Sequence, residues 1–384
     1  MIKYSLGIDI SMKSFYVCLS SIDALQHVNV VSSGNFTNNV SGFKLLHQWL
    51  EKHCKQKEVW LSIVMEATGV YYEQCAMFLF KEGYNIAVVL PNKAKKYLQS
   101  LGLKSKNDKI DAKGLSRMGA EQSLQLWQPM DDFFYQLRTL TRQHQNLQEL
   151  KTSISNQQHA HEHSGTINKF VIKQLKQLIA NIDKQIDAIG KAIEEHIISN
   201  VFIAKKVTDI CVIKGLGILT VAVIIAETNG FILFKNARQL VSYAGYDVIE
   251  NQSGNHIGKT KISKKGNSKI RRALHLPAFN VVRYKETPFV NLYKRTLSKH
   301  NIKMKSYVAV QKKLLIMIYS LWKKNEAYNS KVNQGESTRD IEQEATSRHG
   351  FEKTETKTEK RTQKNSADLK PALHKVINRR HVAV

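Results

Sequence analysis

The sequence predicts an α/β domain followed by two mostly helical regions, and three observations carry that prediction. Short β-type runs open the chain at Ser5–Asp9, Phe15–Ser20 and His27–Ser33. Apolar strand-like segments then alternate with amphipathic ones as far as Pro91. From Asp131 onward the apolar residues recur at threes and fours, the period of a helix.

Only a few polar residues separate the first two runs, which is the spacing of a hairpin. Gly42–Cys54 follows as an amphipathic helix with Phe43, Leu46, Trp49 and Leu50 on one face. Val59–Met65 is an apolar strand, Tyr71–Lys81 a helix, and Asn85–Leu90 a further strand stopped by Pro91. Three strands, then strands interleaved with helices, is the order of the ribonuclease H fold, a mixed sheet with helices packed against it.

Within Asp131–Ile203, Leu137, Leu140, His144, Leu147, Leu150 and Ile154 form one seam. Val171, Leu175, Leu178, Ile182, Ile186, Ile189, Ile193 and Ile197 form another. They read as two long helices, broken near His159–Thr166, in a coiled-coil hairpin or dimerisation arm; two ordinary core helices are the alternative. Residues 207–325 make a second compact, mostly α-helical unit. Its Lys214-Gly215-Leu216-Gly217 reads either as a helix-hairpin-helix turn approaching a DNA phosphate or as a tight interhelical turn. Beyond about Ala327 the chain is rich in Glu, Lys, Thr, Ser and Gln, and disorder is expected. The expected domains are therefore 1–128, 129–206, 207–325 and a tail, 326–384.

Charge narrows the function. The 384 residues hold 58 Lys+Arg against 32 Asp+Glu, a net charge of +26. A surface that basic needs a polyanion, either nucleic acid or an anionic membrane. No apolar run reaches the ~18 residues of a membrane span, and the opening MIKYSLGIDISMKS has no export signal. Cys18, Cys54, Cys75 and Cys211 are scattered without a CxxC pair, so they read as buried thiols and not as disulfides or a zinc site. A cytoplasmic nucleic-acid-binding protein is the expected class, with no membrane partner. From Glu326 onward there are 12 Lys+Arg and 9 Asp+Glu, a net of +3, which puts the polyanion site on the body.

Four carboxylates stand out. Asp9 ends the first apolar strand in Gly7-Ile8-Asp9, and Glu66 ends the next long one in Ile63-Val64-Met65-Glu66-Ala67-Thr68-Gly69. Asp108 and Asp111, in Lys106-Asn107-Asp108-Lys109-Ile110-Asp111-Ala112, are three apart and share one side of a helical turn. A carboxylate at the end of a buried strand is costly unless it faces a cation. The first and fourth strands of a ribonuclease H sheet are neighbours, which would bring Asp9 beside Glu66. Oxygen ligands favour Mg²⁺ or Mn²⁺, and two such ions about 3.5–4 Å apart suit phosphoryl transfer. A cap, a salt bridge and a solvated Asp pair are the structural alternative.

Between Glu250 and Glu286 lie nine Lys+Arg and no acidic residue, with Ser253 and Ser263 inside the window. Lys259, Lys261, Lys264, Lys265, Lys269, Arg271 and Arg272 are candidate contacts to a nucleic-acid backbone, which supply affinity without sequence readout. His159, His161 and His163 lie in a Gly/Ser-containing turn and read as solvent-exposed rather than as a metal site.

The strand-end Asp9, the Met65-Glu66-Ala67-Thr68-Gly69 strand end and the Lys106-x-Asp108-x-x-Asp111-Ala112 helix start resemble one transposase catalytic domain. It is the DEDD (RuvC-like) domain of the IS-one-ten (IS110) insertion-sequence family, which includes Piv-type DNA invertases and bridge-RNA-guided recombinases. The resemblance spans about residues 4–320. It continues through Gly215-Leu216-Gly217, Ala226-Glu227-Thr228, Phe234–Leu240, Tyr243-Ala244-Gly245, Gln252-Ser253-Gly254, Ile262–Asn267 and Arg271-Arg272-Ala273-Leu274. Gly245-Tyr246-Asp247 departs from the family's more usual Gly-Leu-x-Pro.

The resemblance implies that Asp9, Glu66, Asp108 and Asp111 are catalytic metal ligands. It also implies a catalytic serine that joins DNA covalently. Ser253 matches the family's serine-bearing motif, and Ser263, as a helix N-cap or phosphate contact, is the runner-up. Strand exchange on double-stranded DNA through a junction intermediate, target choice by a structured guide (bridge) RNA, and a homo-oligomeric synapse (dimer or tetramer) follow from the same resemblance. Two rivals stand beside it. A junction-resolving endonuclease needs the carboxylates but no serine; a nucleic-acid-binding protein with a dead nuclease domain needs neither.

Overall fold

Alternating apolar residues turn the three opening runs into β1 (Lys3–Ile10), β2 (Ser14–Ile22) and β3 (Val28–Thr37). The structure is a computed structural model that describes residues 3–56, 58–102, 107–249, 252–253, 256–258 and 261–329. β2 pairs antiparallel with both β1 and β3. Helix α1 (Val40–His53), capped by Asn39, leads to β4 (Trp60–Glu66), which lies parallel to β1. Helix α2 (Glu73–Lys81) then leads to β5 (Asn85–Val89), parallel to β4. The order β3-β2-β1-β4-β5 is that of the mixed ribonuclease H-type sheet expected from the sequence. Pro91, read from the sequence as a strand stop, also opens α3 (Pro91–Ser100), where its missing N–H costs nothing. Helix α4 (Asp108–Glu121), capped by Asn107, packs on the sheet.

The sheet separates two cores. Leu6, Ile8, Ile63 and Met65 face Phe43, Leu46 and Leu79 on one side. On the other, Val64, Ala87 and Val89 meet Leu115 and Met118 of α4.

The chain divides into two compact units, Met1–Pro129 and Met130–Val384. The second opens with α5 (Asp132–Glu162) and α6 (Lys169–Ile198), which pack together. Lys151 pairs with Asp183 and Lys176 with Glu162, so the two helices run antiparallel. The helical pair has two characters along its length. Phe134 and Leu137 of α5, with Ile193 and Ile197 of α6, belong to the main core of the unit. Farther out only a narrow strip, Ile154, Leu175 and Ile182 with Leu147, Val171, Ile179 and Ile186, is covered. Leu150 and Leu178, counted in the seams from their spacing, are exposed at 49% and 48%, because two helices alone cover a narrower face than the sequence pattern suggests.

Helices α7 (Val201–Cys211), α8 (Ile218–Glu227) and α9 (Ala237–Ala244) follow. Four two-residue strands come next: β6 (Val248–Ile249), β7 (Gln252–Ser253), β8 (His256–Ile257) and β9 (Lys261–Ile262). Helices α10 (Ser268–Ala273), α11 (His275–Arg283), α12 (Thr287–His300) and α13 (Lys303–Lys324) complete the unit. α13 is buried over most of its circumference from Val310 to Trp322 and forms the axis of the core. The Gly215 turn is a tight interhelical turn: a Cβ there would lie 2.8 Å from the Cβ of Asn280 on α11, so the missing side chain serves packing.

One boundary moves. Residues 326–329, assigned to the tail from composition, lie on the body. Tyr328 is buried, its N–H donates to Asp209 O (3.2 Å), and its hydroxyl donates to the Glu286 carboxylate (3.1 Å). The rest of the expected disordered tail, 330–384, lies outside the described residues. Among the described residues no helix is long and apolar enough to cross a membrane. Cys18 and Cys75 are buried and Cys54 and Cys211 half-buried; burial pushes the Cys75 thiol up to about 12, away from reactivity.

Candidate active site

The strand period decides which face each carboxylate occupies. Ser5, Gly7 and Asp9 are two apart on β1 and share a face, while Leu6 and Ile8 face the opposite core. That shared face is the one covered by α4. Ser116 Oγ donates to Ser5 O at 2.8 Å, and a Cβ on Gly7 would lie 2.0 Å from Ala112 O and 2.2 Å from Ser116 N. A Cβ on Gly119 would lie 2.3 Å from Ser5 Oγ and 2.5 Å from a methyl of Val64. Small residues on both sides thus bring the helix backbone unusually close to the sheet.

The same pairing runs on toward the carboxylates. One step from Ser5 to Gly7 on the strand, about 6.6 Å, matches one helical turn from Ser116 back to Ala112, about 6 Å. The next step carries β1 to Asp9 and α4 back to its first turn, which holds Asp108 and Asp111. Lys109 marks the place: its Nζ lies 6.0 Å from the ring centre of Tyr16, the register partner of Asp9 on β2. Asp108 precedes Ala112 by four residues and Asp111 precedes Leu115 by four, so both extend the sheet-facing side of the helix.

On β4, Val64 faces α4, so Glu66 does too. The parallel register ends at Ile8↔Met65, and Asp9 and Glu66 are the next residues on their strands. All four carboxylates therefore lie at one end of one sheet face. Asp9, Glu66 and Asp111 are half-buried and Asp108 is exposed. Their side chains do not close into a ligand set: among the described residues no group of three or more His, Cys, Asp or Glu is arranged to hold a metal ion.

In the second unit, Ser253 lies in β7 and pairs with His256 across a hairpin. The segments around it form a narrow antiparallel ribbon, with Val248 opposite Ile262 and Ile249 opposite Lys261. Ser263 N donates to Asp247 O (2.7 Å), and Lys264 N to Gly245 O (3.1 Å). Ser263 caps no helix; its Oγ accepts from Lys265 N (3.3 Å). The α10 cap is Asn267, whose side-chain oxygen accepts from Lys269 N and Ile270 N.

The seven basic candidates divide by surroundings. Lys261, Lys264 and Lys265 are exposed along the ribbon, and Lys269 is half-buried. Arg271 is committed internally, donating to Ala244 O (2.8 Å) and Gly266 O (3.1 Å), and Arg272 pairs with Glu149 of α5. Lys259 lies outside the described residues. At the α5 end, His159 and His163 stack with ring centres 4.2 Å apart and are exposed.

The Ala226-Glu227-Thr228 match contains a further carboxylate of the same kind as Glu66, to which the sequence analysis gave no role. Glu227 ends the apolar helix α8 with its side chain 1% exposed, joined to Arg142 and Asn267. Its signal was available: a Glu closing the apolar run Ile218–Ala226 must find a partner.

A DEDD transposase model of the IS110 type matches residues 6–161, and one described as "Transposase IS116/IS110/IS902 family" matches residues 208–294. Pilin gene-inverting proteins of Moraxella bovis and Moraxella lacunata are each 27% identical over 336 residues, 87% of this chain and all of theirs. Structures of Thermus thermophilus RuvC, one in complex with a Holliday junction substrate, match 32% of this chain and 99% of theirs at 9–10% identity, with a TM-score of 0.26. With one transposase model lying over the carboxylate-bearing unit and another over the serine and the basic ribbon, this chain belongs to the IS116/IS110/IS902 family of transposases.

Proposed function

We propose that this protein is a recombinase that moves or inverts a DNA segment by serine-mediated strand exchange. The observation that carries the reading is the gathering of Asp9, Glu66, Asp108 and Asp111 at one end of the α4-covered sheet face, within the stretch matched by the transposase model. The substrate is double-stranded DNA, donor and target, and a structured guide RNA and a homo-oligomeric synapse belong to the same reading. The carboxylate domain (1–128), the helical pair (129–206) and the serine-bearing domain (207–325) are its working parts.

The donor set fits hard divalent cations, since all four groups are carboxylates and no soft ligand stands among them. Asp9, Glu66, Asp108 and Asp111 would hold Mg²⁺ or Mn²⁺, two ions in this reading, and the bound cations supply charge neutralisation for the transferring phosphoryl group. Ser253 Oγ forms a new ester to phosphorus as the bond to a DNA sugar oxygen breaks. The serine proton leaves, and the departing oxygen takes one up to become a free hydroxyl. The number of phosphate ester bonds is unchanged, so rejoining needs no nucleotide. Lys261, Lys264 and Lys265, with Lys259 and Lys269, contact the DNA or RNA backbone and position it.

Asp9→Asn, Glu66→Gln, Asp108→Asn and Asp111→Asn are each expected to lower plasmid recombination in Mg²⁺ by about 10²-fold or more, with DNA affinity within about twofold of wild type. Wild-type recombination rates in any two of the four variants would sink the metal-site assignment.

A further inference from the structure

Helix α8 is apolar until its last residue, and that residue is a buried carboxylate. Arg142 of α5 grips Glu227 with two hydrogen bonds, Nε to Oε1 at 2.7 Å and Nη2 to Oε2 at 2.9 Å. Asn267 Nδ2 donates to Oε2 at 2.7 Å, and Tyr243 OH donates to the Glu227 main-chain oxygen at 3.1 Å. Burial alone would raise the carboxyl pKa; the hydrogen bonds from Arg142 and Asn267 outweigh it and hold the group below its ordinary value. A buried glutamate with three donors on its carboxylate and one on its main-chain oxygen, from three other segments, fixes those segments to one another.

What it fixes is the base of the ribbon. Asn267 caps α10 with its side-chain oxygen while its N–H donates to Tyr243 O at 2.7 Å, the first rung between the segments 243–249 and 261–267. Further rungs are Lys264 N to Gly245 O, Ser263 N to Asp247 O, and the β6–β9 pairs. The β7–β8 pair, with Ser253 opposite His256, lies between β6 and β9 in the chain. We infer that Glu227 is a positioning residue that, through Asn267 and Arg142, clamps the base of the Ser253 ribbon and ties it to the long helix α5. The inference rests on the proposed role of Ser253; the clamp itself rests on the hydrogen bonds.

The test uses the full chain with Glu227→Gln, which keeps shape but removes charge, and with Asn267→Ser. Serine still caps α10 but is too short to reach Glu227, so this second variant decides the matter if the first does not fold. Two readouts are taken. The rate of protein–DNA adduct formation at saturating DNA is expected to fall about 10–100-fold, the cost of a small misplacement of a reacting group, with DNA affinity within about twofold. Amide hydrogen exchange at Ser263, Lys264 and Asn267 is expected to quicken at least about tenfold while α13 stays protected. Unchanged exchange along the ribbon overturns the clamp, as does a rate that falls only in step with lost DNA binding. Ser253→Ala is run alongside: if it forms adduct at the wild-type rate the nucleophile assignment fails, and the exchange data alone then decide the clamp.

Discussion

The two candidate functional regions of this chain are held in place by opposite means. At the carboxylate end of the sheet, α4 is seated by the absence of side chains, with Gly7 and Gly119 letting helix and strand approach until a single methyl would collide. At the serine end, the ribbon is seated by an excess of polarity, with one buried carboxylate satisfied by Arg142, Asn267 and, at its main chain, Tyr243. Steric seating is indifferent to pH and salt, and one added atom breaks it. A charged clamp tolerates small changes of shape and fails when its charge is removed.

Gly7→Ala gives the largest expected effect. The new Cβ would lie 2.0 Å from Ala112 O, a backbone atom that cannot rotate away, so α4 must shift and the first unit is expected to lose about 3 kcal/mol or more. Gly190→Ala in α6 sharpens the contrast, because nothing lies within 4 Å of its added Cβ, and a gain of about 0.5–1 kcal/mol is expected from helix propensity. Chemical denaturation measures both. Equal effects from the two substitutions would show that close packing does not seat α4.

The clamp predicts a smaller, pH-dependent effect. Because the folded state holds the Glu227 carboxyl below its ordinary value of about 4.5, its contribution is fully present above that pH. It is lost as pH falls through the depressed folded value. Arg142 is 43% exposed, which weakens the ion pair by screening, so the contribution comes mainly from the hydrogen bonds and amounts to about 1–2 kcal/mol. Glu227→Gln should therefore flatten the acid limb of stability against pH for the second unit, and an unaltered limb would contradict the clamp. Least of all should follow from Arg272→Gln: its pair with Glu149 is half-exposed on both sides, and the thermal midpoint should not move measurably.

The sheet was legible because its strands are long enough to show a period of two, and Asp9 and Glu66 because a carboxylate closing an apolar run is conspicuous. Glu227 closes such a run as well, but Arg142 and Asn267 lie 85 and 40 residues away, and no spacing rule links them. Strands β6 to β9 have two residues each, too few to carry any period. Composition placed the end of the body before Tyr328 because a single buried tyrosine, bonded to Glu286, does not alter the polar average around it. The helical pair was half legible: its spacing gave the helices, but which seam residues are covered depends on packing partners that the sequence alone does not reveal.

A denaturing gel of the protein incubated with end-labelled DNA and Mg²⁺ decides whether Ser253 joins DNA covalently. Attack by Ser253 gives a covalent protein–DNA species for the wild type, its loss together with strand transfer in Ser253→Ala, and its persistence in Ser263→Ala. Loss in Ser263→Ala alone would move the nucleophile to that residue. Free DNA ends accumulating without any adduct, and indifference to both serine substitutions, would contradict the serine mechanism and make the protein a metal-dependent hydrolase that uses water.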